Sequence, residues 1–236
     1  MLRVLSNTAV QCTIAAREVK NLMKKTLIAL IALATISSSC FAFGILTTAT
    51  TVGQDNYSVQ VQYSTVGFSQ FNTNGTFAGL GAKLSYGFTK DLDVYGGLWS
   101  GSEVMSDFDI SDAGGAVRVG LKYGILKIAN NDPIDLAGFI DMSTLTTNHL
   151  TWGINTVGVS VSKMVKPQLT VYGIAAAMMN NWKVQSLKSV SETDTEFGIG
   201  VKYEVNKTFS VLGEVDRFWM DSNQFQSMSV AGEWAL

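Results

Sequence analysis

Val117-Arg118-Val119-Gly120-Leu121-Lys122-Tyr123-Gly124-Ile125 decides how this 236-residue chain folds. Val117, Val119, Leu121, Tyr123 and Ile125 take every second position, and Arg118, Gly120, Lys122 and Gly124 lie between them. A helix, turning about 100° per residue, cannot sort side chains this way. A pleated strand does, because successive side chains point to opposite faces. One face is therefore greasy and the other polar or small. The split recurs in Phe197, Ile199, Val201, Tyr203 and Val205 against Glu196, Gly198, Gly200, Lys202 and Glu204. It recurs again in Met228, Val230, Gly232, Trp234 and Leu236 against Ser227, Ser229, Ala231, Glu233 and Ala235.

Followed along the chain, this period predicts ten strands, near 57–66, 76–88, 92–101, 113–125, 134–144, 150–163, 169–180, 194–205, 208–219 and 226–236. They run to about 10 to 14 residues, longer than the 5 to 6 usual in soluble sheets and suited to the 9 to 11 tilted residues that cross a bilayer. Residues 89–91, 126–133, 164–168 and 206–207 read as mostly tight turns, whereas 66–75, 101–112 and 181–193 read as long polar loops. Pro133 and Pro167, the two prolines, fall in the turns, where a missing N–H breaks no ladder. Val157, Val159 and Val161 are out of phase with Trp152 and Ile154, which predicts a bulge around Gly153.

Composition narrows the class. A chain with 47% hydrophobic and 15% charged residues and 2 cysteines is neither disordered nor a disulfide scaffold. A net charge of -2 offers no general attraction to phosphates, so no nucleic-acid partner is expected. Lys24-Lys25, the apolar run Thr26 to Ile36 and the small residues leading to Ala42 form the three regions of a secretory signal. The run is too short for a membrane-spanning helix. Residues 1–22 are expected to precede the true start at Met23, 23–42 to be a signal peptide cleaved after Ala42, and 43–236 to be one domain. Cleavage removes both cysteines, five of the 17 basic residues and one of the 19 acidic ones, leaving 12 against 18 and a net charge of -6. A chain without thiols suits an oxidising compartment and has no thiolate metal site. No stretch after Ala42 reaches 18 continuous apolar residues, so any crossing of a membrane is by strands.

A repeat supports this register. Lys90 to Gly96, Lys166 to Gly173 and Asn206 to Gly213 share a turn residue, an apolar/polar alternation and a glycine, with Asn131 to Gly138 a looser copy. One copy per hairpin is the build of an up-and-down barrel. Closure follows from physics, because an open sheet edge in hydrocarbon leaves backbone groups unpaired at several kcal/mol each. The signal, the hairpin Glu196-Phe-Gly-Ile-Gly-Val-Lys-Tyr-Glu-Val-Asn-Lys-Thr-Phe-Ser-Val-Leu-Gly-Glu-Val-Asp-Arg-Phe218 and the alternating last strand resemble the small outer-membrane β-barrels of Gram-negative bacteria, the OmpA-type and opacity-type group. The expected fold is all-β, a closed antiparallel transmembrane barrel of about ten strands, with eight as the count common in that group. The expected location is the bacterial outer membrane, with long loops outside and, from the even count, both termini in the periplasm. The resemblance also implies outer-membrane lipid, lipopolysaccharide and the barrel assembly machinery as partners. The terminal-strand signal for that machinery would be Gly232, Trp234 and Leu236, although this chain ends in leucine where the group ends in an aromatic residue.

If the apolar parity faces lipid, the interior receives Lys83, Asp93, Arg118, Lys122, Asp135, Asp141, Glu196, Lys202, Glu204, Glu214, Asp216 and Glu233. A lumen of eight to ten strands is little wider than its own side chains. The leading expectation is a packed, charge-paired core in a structural or surface-exposed protein whose surface ligand is unspecified. The alternative is a narrow porin-like channel for small polar solutes or cations, and the second alternative a secreted soluble β-sandwich. No enzyme activity and no cofactor are expected. The single histidine, His149, lies in a predicted loop, and the aspartate-histidine doublet of outer-membrane proteases is absent. One histidine leaves only carboxylates for a metal, and the loop acids Glu103, Asp107, Asp109 and Asp112 are expected to be solvated. Tyr86, Phe88, Tyr123, Tyr203 and Phe209 at the turn ends, and Phe77, Trp182, Trp219 and Phe225 at the loop ends, are expected to form two interfacial belts. Arg217, on the lipid parity near the outer rim, is expected either to meet lipopolysaccharide phosphate or to be turned inward by a local bulge.

Overall fold

The computed structural model describes residues 46–70, 73–105, 110–148, 150–184, 189–220 and 223–236. The expected extension, the signal peptide and His149 lie outside the described residues. Ten strands form one ring: β1 (Tyr57–Gln70), β2 (Thr73–Gly87), β3 (Leu92–Met105), β4 (Ile110–Leu126), β5 (Asp135–Thr147), β6 (Leu150–Lys166), β7 (Leu169–Val184), β8 (Val190–Glu204), β9 (Phe209–Met220) and β10 (Asn223–Ala235). Each strand pairs antiparallel with its neighbours in sequence, and β1 closes on β10 from Ser58 opposite Ala235 to Ser69 opposite Gln224. The count is ten, not eight. A single ring has no second layer, so the two-sheet sandwich is overturned. Among the described residues no helix is long and apolar enough to cross a membrane.

Period 2 sorts the side chains between the two faces of this ring. On β4, Val119 is 54% exposed while Arg118 beside it is 7% exposed. The outward set includes Leu80, Leu84, Leu121, Ile140, Met142, Ile199, Val201, Met228 and Val230, an inversion of the usual globular arrangement. Such a surface is stable only against another apolar phase, and the closed ladder meets the matching demand that every backbone group bond within the sheet.

Three expectations need correction. The strands run past their predicted ends on the side read as long loops, so that only residues 71–72, 106–109, 148–149, 185–189 and 221–222 connect them there. The longest connection, 127–134, lies on the other side and holds the 3-10 turn Ile128–Asn130, so the expected loop asymmetry is reversed. Beyond the hydrocarbon a hairpin is wet on both faces, and its polarity resembles that of a loop. Secondly, Gly153 pairs in regular register with Thr144 and Asn181, and the register shifts lie at Gly124/Leu126 and Met164/Lys166. Trp152 and Ile154 are out of phase with the later valines because they point into the barrel and are buried. Thirdly, Phe77 is buried on the inward parity with Lys83 and Ser85, rather than in a belt. The side chains of Trp182, Trp219 and Phe225 lie outside the described residues, whereas Phe88, Tyr123 and Tyr203 are exposed at the turn end.

Glycine on the inward parity makes room for large rings. Tyr95 lies across its cross-strand partner Gly120, where an added Cβ would sit 2.4 Å from the ring, and Tyr172 lies likewise across Gly200, at 2.3 Å. Outward-facing Gly96 has no such neighbour, its Cβ position being 3.8 Å from the Arg118 carbonyl oxygen. Gly120→Ala should therefore cost about 1–3 kcal/mol through overpacking, and Gly96→Ala less than about 0.5 kcal/mol. Urea unfolding of the barrel in lipid vesicles checks both; equal effects would mean that the Tyr95 ring does not depend on Gly120.

Candidate functional site

The lumen gathers the polar chemistry of the chain, because every strand sends its non-apolar parity there. All twelve charges assigned to the interior from sequence lie on that parity. Lys83, Asp93, Arg118, Lys122, Asp141, Glu196, Glu214 and Asp216 are buried, and Asp135, Lys202, Glu204 and Glu233 are half-buried. Among the described residues, three ion pairs in the lumen link strands that are neighbours or one strand apart. Arg118 on β4 donates through its guanidinium to Asp141 on β5, with Nε 3.0 Å from Oδ2, and the Tyr95 hydroxyl donates to the same oxygen at 3.2 Å. Lys122 Nζ lies 3.2 Å from Asp93 Oδ2, and Lys202 Nζ lies 3.1 Å from Glu233 Oε2. Burial removes water from these groups, so each pair must satisfy itself through hydrogen bonds.

The structure adds an element that the sequence did not reveal. Residues 46–52 enter the barrel from the turn end as an extended strap, and Leu46, Thr47, Thr48 and Ala49 are buried. The strap is held mainly through its backbone. Lys83 Nζ donates to the Leu46 carbonyl at 2.9 Å, the Ser160 hydroxyl to the Thr47 carbonyl at 2.7 Å, and Lys122 Nζ to the Thr48 and Thr50 carbonyls at 3.3 and 2.6 Å. In return, Leu46 N–H donates to Glu214 Oε1 at 2.7 Å, Ala49 N–H to Ser162 Oγ at 2.8 Å, and Val52 N–H to both oxygens of Asp93 at 3.1 and 3.0 Å. The Thr50 hydroxyl donates to Asp135 Oδ2 at 3.1 Å. The chain then leaves the lumen through Gly53, whose φ of +86° suits glycine. At the rim Lys127 bonds Thr51 and pairs with Asp91 at 2.9 Å, which holds the Asp91 carboxyl below the usual range.

The lumen also holds apolar groups. Phe139, Tyr172, Ile174 and Ala176 form a buried cluster, and Tyr95 and Trp99 are buried on β3. At the hairpin end Trp152 Nε1–H donates to Asn180 Oδ1 at 2.9 Å, and Asn180 bonds Asp194. Asp112, expected to be a solvated loop acid, is buried and accepts the Asn148 backbone and side-chain N–H groups at 3.1 and 2.6 Å. Its burial follows from the extension of β4 into the presumed loop. The strap could have been suspected from Thr47-Thr48-Ala49-Thr50-Thr51-Val52, an uncharged, β-prone run with no strand of its own. Nothing in its residues named the lumen as its partner.

Among the described residues no group of three or more histidine, aspartate or glutamate side chains is arranged to hold a metal ion. Gly232, Trp234 and Leu236 stand on the outward side of β10, where Trp234 packs on Phe209 at 4.9 Å and Leu236 N–H donates to the Tyr57 carbonyl at 2.9 Å. Arg217 is exposed on the outward face between its cross-strand neighbours Phe197 and Gln226.

The closed antiparallel ring is the fold of outer-membrane β-barrels. The β domain of the Bordetella autotransporter BrkA matches it at 10% identity over 78% of this chain and 100% of that one, with a TM-score of 0.51. An outer-membrane channel from Pseudomonas putida F1 matches at 9% identity over 78% and 96%, with a TM-score of 0.50. The outer-membrane protease OmpT from Escherichia coli matches at 9% identity over 77% and 97%, with a TM-score of 0.47. No protein-family model and no curated protein matches the sequence. At these identities the likeness concerns the fold alone.

Lys122 ties three acceptors together: Asp93 and two strap carbonyls. Lys122→Met should cost about 3–5 kcal/mol, because it leaves the Asp93 carboxylate buried without its cation. Adding Asp93→Leu should recover part of that loss, giving a coupling of at least about 1 kcal/mol in a double-mutant cycle. Additive losses in urea unfolding would show that the pair acts through packing rather than charge.

Proposed function

We propose that the chain is an exported outer-membrane barrel that serves as a structural or surface-presenting protein and conducts no solute. One observation carries this reading: the lumen is filled. The strap crosses its turn-end half, and the Arg118–Asp141 pair with the Tyr95, Trp99, Phe139 and Tyr172 rings occupies the part beyond it. The outward apolar surface supports a lipid environment, and the shared fold supports the outer membrane as its location. The proposed orientation keeps the side that carries both chain ends in the periplasm and the hairpin tips outside. The last strand, with Gly232, Trp234 and Leu236, is the proposed contact for the assembly machinery. Arg217 is the proposed contact for lipopolysaccharide phosphate, a planar donor suited to bidentate anion recognition.

Two experiments test this reading. In planar bilayers the purified barrel should show no stepwise conductance even at high protein load; discrete openings would favour the narrow channel instead. Val119→Arg, at the middle of the outward face, should cost about 2–4 kcal/mol if lipid surrounds it. In a water-exposed barrel the same change stays within about 0.5 kcal/mol, and that outcome in vesicle unfolding would remove the membrane location.

A further inference from the structure

Lys163, Lys166 and Lys207 are exposed at the turn end, and among the described residues no ion pair includes them. Elsewhere on that rim the lysines are met by an acid, since Lys90 and Lys127 both pair with Asp91. Acids close to the three in sequence or register serve other groups or face inward. Asp135, opposite Ser162, accepts from the Thr50 hydroxyl and the Ile128 N–H, and Glu204 is half-buried on the inward parity of β8. The three lysines share one stretch of the rim. Lys163 and Lys166 lie at the end of β6, Lys207 lies in the β8–β9 turn, and β7 connects the two places, with Leu169 opposite both Lys166 and Tyr203.

Apolar surface surrounds these cations. Lys163 stands on the outward parity with Val161, opposite Val171, which is itself opposite Val201. A lysine so placed lays its stem along aliphatic surface and carries its ammonium to the nearest polar layer, which at the edge of the apolar band is the lipid headgroups. The register shift at Met164/Lys166 leaves Val165 without a cross-strand partner, and the successive Met164 and Val165 are 48% and 51% exposed. Tyr203 and Val205 are exposed on β8 and just beyond it, and the Tyr203 hydroxyl donates to Gln168 Oε1 at 3.2 Å, which ties the β6–β7 turn to β8. We infer that this corner of the barrel binds an anionic phospholipid, with its phosphate received by Lys163, Lys166 and Lys207 and its acyl chains lying on Val161, Val201 and Tyr203. Three ammonium groups without an acid call for a headgroup of net negative charge, whereas a zwitterionic headgroup brings an ammonium of its own. This rests on the membrane reading, whose orientation places the turn end in the periplasmic leaflet, where phospholipid rather than lipopolysaccharide supplies the phosphate.

The test titrates the purified barrel in detergent with phosphatidylglycerol and counts bound lipid by native mass spectrometry. The first phosphatidylglycerol should bind at least about tenfold more tightly than phosphatidylcholine. Lys163→Gln, Lys166→Gln and Lys207→Gln should each weaken it about fivefold, the effect of one charge beside an anionic headgroup. Lys90→Gln, whose charge Asp91 already meets, should leave it unchanged. Should a variant lose its folded gel mobility, raising the salt on the wild-type protein decides instead, because the preference for phosphatidylglycerol should fall as screening grows. Equal affinity for the two lipids, or an equal loss in Lys90→Gln, overturns the site. Tighter binding of lipid A than of phosphatidylglycerol, or displacement of the lipid by inorganic phosphate, gives the lysines to another anion and overturns the phospholipid assignment. If any of these outcomes appears while Val119→Arg remains costly in vesicles, the lipid site falls and the membrane reading stands.

Discussion

The structure depends on one constraint: in hydrocarbon a peptide group can bond only to another peptide group. A ten-stranded ring meets it with each strand paired on both edges, including the β1–β10 seam that joins the two ends of the sheet. Closure has a second consequence, because it divides space into an outside and an inside that every strand must serve at once. Alternation in sequence thus becomes a radial sorting of chemistry, with valine and isoleucine outward and lysine, arginine and carboxylates inward. The inside then becomes the more demanding environment. It is small, poorly supplied with water, and must pair each charge that it receives.

The lumen meets that demand in different ways along its length. Lys122, Lys83, Asp93 and Glu214 engage a strap of the chain's own backbone, whose carbonyls accept from the lysines and whose N–H groups donate to the acids. Arg118 and Asp141 pair directly, braced by the Tyr95 hydroxyl, while Tyr172 and Phe139 belong to a buried cluster with Ile174 and Ala176. A backbone segment is well suited to a lumen that carries both signs of charge, since each of its peptide units offers one donor and one acceptor. A side chain of either sign would satisfy only half of the wall.

The strands were legible in the sequence because period 2 is a local signal, readable from Val117 to Ile125 with no knowledge of the partner strands. Their ends were less so. Residues 101–105 and 181–184 continue the sheet past the ends that the apolar alternation marks. Hydropathy can mark where lipid ends, but not where pairing ends. Trp152 and Ile154 illustrate the same limit in reverse. Their apolar character suggested a phase shift, whereas the regular pairing of Gly153 shows apolar residues turned inward.

The twelve interior charges could be assigned from parity, but their partners could not. Asp93 and Lys122 are cross-strand neighbours, an arrangement that becomes visible once β3 and β4 are in register. Lys202 and Glu233 are 31 residues apart, on strands separated by β9 in the ring, and they meet because both side chains reach over the inner face of that strand. The strap was least legible, because what holds it is backbone, and every sequence has the same backbone. Side-chain pattern governs where a strand faces. Where a loose segment docks depends on unmet donors and acceptors in the wall, which are defined only after the ring has closed. Barrel closure therefore logically precedes strap docking.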